Sequence, residues 1–338
     1  NKVFKTGRDI CLLKKEIIFM RKAIIALALT GALVSVAQAD VTVSGSTGYR
    51  LQSTTVGTAP KSSADRYKLE LGLSSKINDS TTAVAGLRTG PVNSSYTDYG
   101  NNAASDTIGI NLAYVDVKVR DNVKVTIGKQ NQPWANSSSY LFDRDVKPTG
   151  FAVAYTNKSG LFANASQLTL AEGGAVDARV QNVQVGYGKT VGGVALTGAV
   201  GKYNYANVGA QSYSITQLFV TASKTVAGRP VTAFVETLSN ADASAGTNSA
   251  RAYGIKVAAA SGKYDVSYAH QTNEANSQYG LWNDSDFAGG QGNYEGNAIA
   301  LNYNVSKGVK VAAKSFSSTR GTPRADYKRT QLDLTYSF

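Results

Sequence analysis

From residue 41 onward the sequence alternates. In VTVSGSTGYRLQ, Val41, Val43, Tyr49 and Leu51 share one parity, with Thr42, Ser44, Ser46, Arg50 and Gln52 on the other. In RYKLELGLSSKI, Tyr67, Leu69, Leu71, Leu73 and Ile77 oppose Arg66, Lys68, Glu70, Ser74 and Lys76. VKVTIGKQ, YGIKVAA, YDVSYA, AIALNYNV and VKVAAKSF repeat the pattern. Side chains of a strand point alternately to its two faces, so period 2 marks a strand with one apolar and one polar face. No helical period competes with it after residue 40.

The connections between these runs alternate between tight and long. Tight ones are expected at Asn78-Asp79-Ser80, Asp121-Asn122, Ser159-Gly160, Gly192-Gly193, Ala227-Gly228-Arg229, Ser261-Gly262-Lys263 and Ser306-Lys307-Gly308, all of hairpin composition. Long ones are expected near 55–64, 91–106, 131–148, 172–178, 207–212, 240–249, 275–295 and 318–324. The tally predicts about sixteen antiparallel strands with tight turns on one side and long loops on the other, each run about 10 residues long and so matched to a bilayer crossed at a tilt. The fold class is therefore all-β, a transmembrane antiparallel up-and-down barrel. Phase breaks near 107–121, 161–171 and 212–227 predict β-bulges there. A soluble sandwich also alternates, but its connections do not sort strictly into short and long.

Both ends agree with a barrel. The chain finishes QLDLTYSF, with Leu332, Leu334, Tyr336 and Phe338 on one parity up to the last residue. A barrel pairs its last strand with its first, so this end is a member of the sheet. At the front, MRKAIIALALTGALVSVAQAD has a basic start at Arg21 and Lys22, an apolar stretch over 23–37, and Ala37-Gln38-Ala39 before Asp40. That is the layout of a cleaved secretory signal, the stretch being too short to span a bilayer. The expected division is 1–39 as upstream extension plus signal, 40–338 as a single barrel domain. Removing 1–39 takes away seven Lys/Arg and two Asp/Glu, so the +12 of the whole sequence becomes +7.

Composition excludes several functions. The only Cys is Cys11 and the only Met is Met20, so residues 40–338 have neither disulfides nor thiolate chemistry. No run of Lys/Arg forms a nucleic-acid patch. The one His, His270, shares parity with Tyr264, Val266 and Tyr268 and reads as an interfacial residue rather than a catalytic base. No nucleophile, zinc-protease or phosphate-loop motif occurs, so no enzyme is expected. In WNDSDFAGGQGNYEG, Asp284, Asp286 and Glu295 match no full calcium template; this stretch is expected to be a flexible polar loop facing outside, with Trp282 and Phe287 available to neighbouring loops or lipopolysaccharide. No cofactor or metal is expected.

The layout as a whole resembles the Gram-negative general diffusion porins: signal, about sixteen strands, a C-terminal Phe strand and a distinctive third long connection. The resemblance implies a homotrimer, contact with outer-membrane lipid and lipopolysaccharide, and recognition of Tyr336 and Phe338 by the barrel-assembly machinery. It also implies that the loop after the fifth strand folds into the lumen. Here that stretch is NQPWANSSSYLFDRDVKPTG, residues 131–150, and it names Trp134, Tyr140, Leu141, Phe142, Asp143, Arg144, Asp145 and Lys147 as constriction residues. The family's proline-glutamate-phenylalanine motif is absent from it.

A barrel of this size holds a water-filled lumen lined by the polar parity. The inward set contains Arg50, Arg66, Lys68, Lys76, Arg88, Lys124, Lys256, Lys310, Lys314 and Arg329, against Glu70, Glu236, Asp265 and Asp333. A basic excess in a low-dielectric tube predicts a weak anion preference. The reading is an outer-membrane porin passing small hydrophilic solutes and ions passively. One alternative is a substrate-selective channel with Tyr203, Tyr205 and Phe316 in an aromatic slide; others are a non-conducting adhesin or anchor, and a soluble secreted β-protein.

Overall fold

The computed structural model describes residues 41–338 except 92–93, 99–107 and 174–175. The signal-like segment and its Asp40 boundary lie outside the described residues. β1 (Val41–Val56), β2 (Ser62–Asn78), β3 (Thr81–Arg88) and β4 (Thr97–Asp98) are followed by β5 (Gly109–Arg120), β6 (Val123–Lys129), β7 (Thr149–Thr156), β8 (Leu161–Ala171) and β9 (Ala178–Val191). Then come β10 (Val194–Ala206), β11 (Ser214–Val226), β12 (Arg229–Asn240), β13 (Ser249–Ala258) and β14 (Tyr264–Asn273). β15 (Tyr294–Ser306), β16 (Val309–Arg320) and β17 (Ala325–Ser337) complete the sheet.

Every pairing is antiparallel, and β17 returns to pair with β1. The two-residue β4 continues the line of β3, since both pair with β2 (Glu70↔Arg88, then Arg66↔Asp98). The result is a closed barrel of sixteen wall strands. Closure leaves no open edge, which is the condition for a sheet to cross a bilayer.

The last residues behave as sheet members. Tyr49 faces Leu334, Arg50 faces Asp333, and Gly45 exchanges two backbone hydrogen bonds with Phe338, each 3.0 Å. Gly45 has a steric reason to be glycine, because an added Cβ would lie 2.5 Å from the Phe338 ring and 2.9 Å from the Glu70 carbonyl. On the outer face Leu332, Leu334, Tyr336 and Phe338 are exposed, as are Val183, Val185 and Tyr187 of β9 and Ile299, Leu301 and Tyr303 of β15. In a water-soluble protein such a belt would be a severe liability; against hydrocarbon it is the favourable surface.

The expected bulges differ in outcome. β3 and β5 shift register at Gly86/Leu87, and β8 and β9 shift at Thr169/Ala171. β11 has no shift against either neighbour. Its phase looks broken because both faces are apolar: Leu218 and Val220 point outward while Ile215 and Phe219 are buried inside. An inward apolar patch means that something packs on the inner wall there.

Candidate functional site: a lumen crossed by two loops

The 130–148 loop, after the fifth wall strand, fills one side of the lumen. Trp134, Leu141, Phe142 and Val146 are buried against the inward residues Leu168, Val180, Tyr203, Ile215 and Leu238. The Trp134 ring lies edge-on to Phe142 (5.5 Å between centroids) and to Tyr203 (5.1 Å). Burying each such side chain contributes about 1.5–3 kcal/mol, and each edge-to-face pair about 0.5–1.5 kcal/mol more. Sequence alone leaves this loop free to lie outside; the apolar inner wall of β8–β13 draws it in.

A polar network fixes its register. The Ala135 N–H donates to Gln184 Oε1 (2.8 Å), and Gln184 Nε2 returns a bond to the Ala135 carbonyl (2.7 Å). Gln184 Nε2 also donates to Gln217 Oε1 (2.7 Å), and Gln217 Nε2 to Glu236 Oε1 (2.6 Å). Glu236 Oε2 then accepts from Ser137 Oγ (2.7 Å) and Ser137 N–H (3.2 Å). Gln184, Gln217 and Glu236 are all fully buried, so each needs the partners it has. Sequence reasoning placed Glu236 inside but missed both glutamines, which look like ordinary inward polar residues.

The 274–293 loop corrects an expectation. It does not face outside as a flexible polar loop, but turns into the lumen, with Trp282, Phe287 and Ala288 fully buried. Trp282 sits edge-on to Trp134 (5.5 Å) and Phe142 (6.0 Å), and its carbonyl accepts the Asp143 N–H at 3.0 Å. Phe287 packs with Tyr294, Phe316 and Tyr140. Asp286 accepts from Arg50 Nη1 (3.0 Å) and Gln331 Nε2 (2.6 Å). Arg329 and Arg320 donate to the Ser285 and Ala288 carbonyls, each at 2.6 Å. Of the acidic residues of the suspected calcium loop, Asp286 is engaged with Arg50 and Arg329 and Glu295 lies 3.9 Å from Arg324, while Asp284 has no cation partner among the described residues; no described group of three His, Cys, Asp or Glu is suited to a metal.

Loop ionisation follows from burial. Desolvation, then the charge of Asp284, pushes the Asp143 carboxyl up to about 8. Desolvation, then Asp286, pushes Asp284 up to about 7. Burial also opposes the charge of Asp286, but Arg50, Lys314 and Arg329 outweigh it and hold that carboxyl below its ordinary range. Burial lowers Lys147, and raises Tyr140 to about 12.

The remaining space is lined by both signs of charge. Arg50 holds Asp333 with two bonds (Nε–Oδ1 2.7 Å, Nη2–Oδ2 2.9 Å) and lies 3.9 Å from the centre of the Tyr96 ring. Lys314 reaches the same carboxylate at 3.3 Å, and Arg88 reaches Asp145 at 3.4 Å. Arg66 pairs with Asp98 (2.7 Å), Lys68 with Glu70 (3.6 Å) and Lys124 with Asp116 (3.0 Å). A cavity of about 250 Å³ between wall and loops is bordered by Lys68, Tyr96, Asp145, Lys310 and Lys314. Arg144, Lys256 and Lys310 are exposed and have no carboxylate partner among the described residues.

Arg50 and Arg329, expected as free lining charges, are instead committed to loop and closure contacts, because Asp286 and Asp333 lie beside them. Tyr203 and Phe316 of the proposed aromatic slide are buried under the two loops, so they present no face to a solute. His270 points outward, 3.0 Å from Asn297, with its ring tilted at 31° to that of Tyr253 (5.2 Å between centroids). Tyr336 and Phe338 lie side by side on the outer face, 6.1 Å between rings.

The chain is thus a closed sixteen-stranded transmembrane β-barrel with two loops folded into its lumen. The sequence matches no family model and no curated protein. The fold is that of the porins: the chain is similar to Pseudomonas putida OprB (TM-score 0.66, 11% identity), the match covering 88% of this chain and 94% of that one. It is also similar to a double mutant of the Rh. blastica porin (TM-score 0.55, 14% identity), covering 88% of this chain and all of that one, 100%.

Proposed function

We propose that the protein is an outer-membrane porin, a passive channel for small hydrophilic solutes and ions with a weak preference for anions. The observation that carries the preference is an asymmetry of partners. Of the described inward carboxylates, Asp333 and Asp286 are paired with Arg50, Asp145 with Arg88 and Asp116 with Lys124; Glu236 is held by Ser137 and Gln217, and burial holds Asp143 and Asp284, which have no cation partner among the described residues, toward the neutral form. Arg144, Lys256 and Lys310 keep exposed, unneutralised charge facing the lumen, and such charge raises local anion concentration within about a Debye length of 8–10 Å. The fold likeness supports the outer membrane as location and an oligomer, a homotrimer on the resemblance; lipopolysaccharide and the assembly machinery are the partners this reading implies.

The decisive experiment is conductance of the detergent-folded protein in a planar bilayer with a KCl gradient. Stepwise ohmic currents with a reversal potential on the chloride side support the reading, and three coupled closures support a trimer. A correctly folded barrel that passes no current overturns it. That outcome moves the weight to an anchor or adhesin, the reading favoured by how much of the lumen the two loops occupy.

A further inference from the structure

The 130–148 and 274–293 loops meet along a seam. Asp143 donates its N–H to the Trp282 carbonyl (3.0 Å), and Trp134 and Phe142 pack edge-on against Trp282. Asp143 lies in this seam, only 6% exposed. Its Oδ1 accepts the Asp145 N–H at 2.8 Å, and it faces the Ser285 N–H and the Asp284 carboxyl from the other loop. Asp284 Oδ1 accepts the Asp286 N–H at 2.8 Å. Neither Asp143 nor Asp284 has an ion-pair partner among the described residues.

The surroundings are poor in cations that are free to compensate. From the 130–148 loop, Asp145 and the Tyr140 hydroxyl face the seam, with Lys147 near Asp143. From the 274–293 loop comes Asp286, itself held by Arg50 and Arg329. From the wall, Lys314 of β16 faces Asp284 but is 3.3 Å from Asp333, and Tyr294 of β15 and Tyr327 of β17 border the same carboxyl. Two carboxyls brought together in such a site cannot both ionise without repelling each other.

We infer that the Asp143–Asp284 seam is a proton-operated latch on the width of the pore. Protonated, it lets the 274–293 loop dock against the 130–148 loop; ionised, it drives the loops apart and widens the lumen. Both carboxyls are raised when docked, to about 8 and about 7. The docked seam is therefore fully favoured below the ordinary carboxylate value of about 4, weakens as pH rises from there, and has lost the whole contribution above about 8. The effect on current rests on the channel reading; the effect on the seam does not.

The chain has two tryptophans, Trp134 and Trp282, and both stand at this seam. Their emission and near-ultraviolet circular dichroism in detergent therefore report docking without any current. The test is to titrate the folded wild type, Asp143→Asn, Asp284→Asn and the double variant from acid to alkaline pH, reading tryptophan signal and single-channel conductance together. The expected result is a red shift and loss of the indole signal in wild type as pH rises through neutrality, with conductance rising in parallel. The double variant is expected to give flat signals at the docked level. A wild-type tryptophan signal that does not titrate overturns the latch, and needs no variant to fold. A titration that survives in the double variant also overturns it. If the tryptophans titrate in a barrel that never conducts, the latch stands and the channel reading fails.

Discussion

Arg50 and Asp333 stand directly opposite each other on the strands that close the barrel, joined through Nε–Oδ1 at 2.7 Å and Nη2–Oδ2 at 2.9 Å. Both are almost fully buried, although they line a lumen. Asp286 of the 274–293 loop and the Tyr96 ring complete the cage around the guanidinium. One pair thus ties barrel closure to loop position.

Replacing Asp333 with Ala leaves Arg50 and Lys314 short of a carboxylate. Removing one partner of a buried pair costs about 3–5 kcal/mol, and Asp286 remains, so the loss is expected at the lower end, about 3 kcal/mol. Unfolding in urea, followed by tryptophan emission, should show that drop; an unchanged midpoint would remove this pair from the account of closure.

Glu236→Ala should loosen the 130–148 loop without opening the wall. Ser137 loses both its bonds and Gln217 loses its acceptor, at about 1.5–3 kcal/mol for hydrogen bonds to a charged group. Larger conductance with more open-channel noise is expected, and faster proteolysis within 131–148. Quiet, wild-type currents would mean that the aromatic cluster alone holds the loop.

Arg144→Glu tests selectivity. Arg144 is exposed and the one described polar contact of its guanidinium is Asn136 at 3.3 Å, so stability should change by no more than about 0.5 kcal/mol. The reversal potential in a salt gradient should move toward cation preference. If it stays put, the free charges that matter are those of Lys256 and Lys310.

Deleting Phe338 removes the two 3.0 Å backbone bonds to Gly45 and the terminal ring of the outer belt. Less folded barrel should be recovered in the membrane fraction, as read by heat-dependent gel mobility. Full recovery would reduce the terminal aromatic to a lipid contact.

The wall was legible in the order of residues because a strand has period 2 and a membrane barrel has two chemically opposite faces. Parity alone put Arg50, Lys68, Lys256 and Asp333 inside and Leu334 and Tyr336 outside, and the tight turns set the hairpins. The insertion of the 274–293 loop was not legible. Trp282 and Phe287 say only that they need an apolar partner, and that partner is assembled from β8, β11, β12, β15 and β16, strands far apart in sequence. A trace did exist: Ile215 and Phe219 break the polar parity of the inner face, and the 212–227 run read as irregular strand rather than as a docking wall. Periodicity is a local property and survives in one dimension. Which loop fills a lumen, and which of its charges are neutralised, depends on pairings that exist only once β17 has met β1.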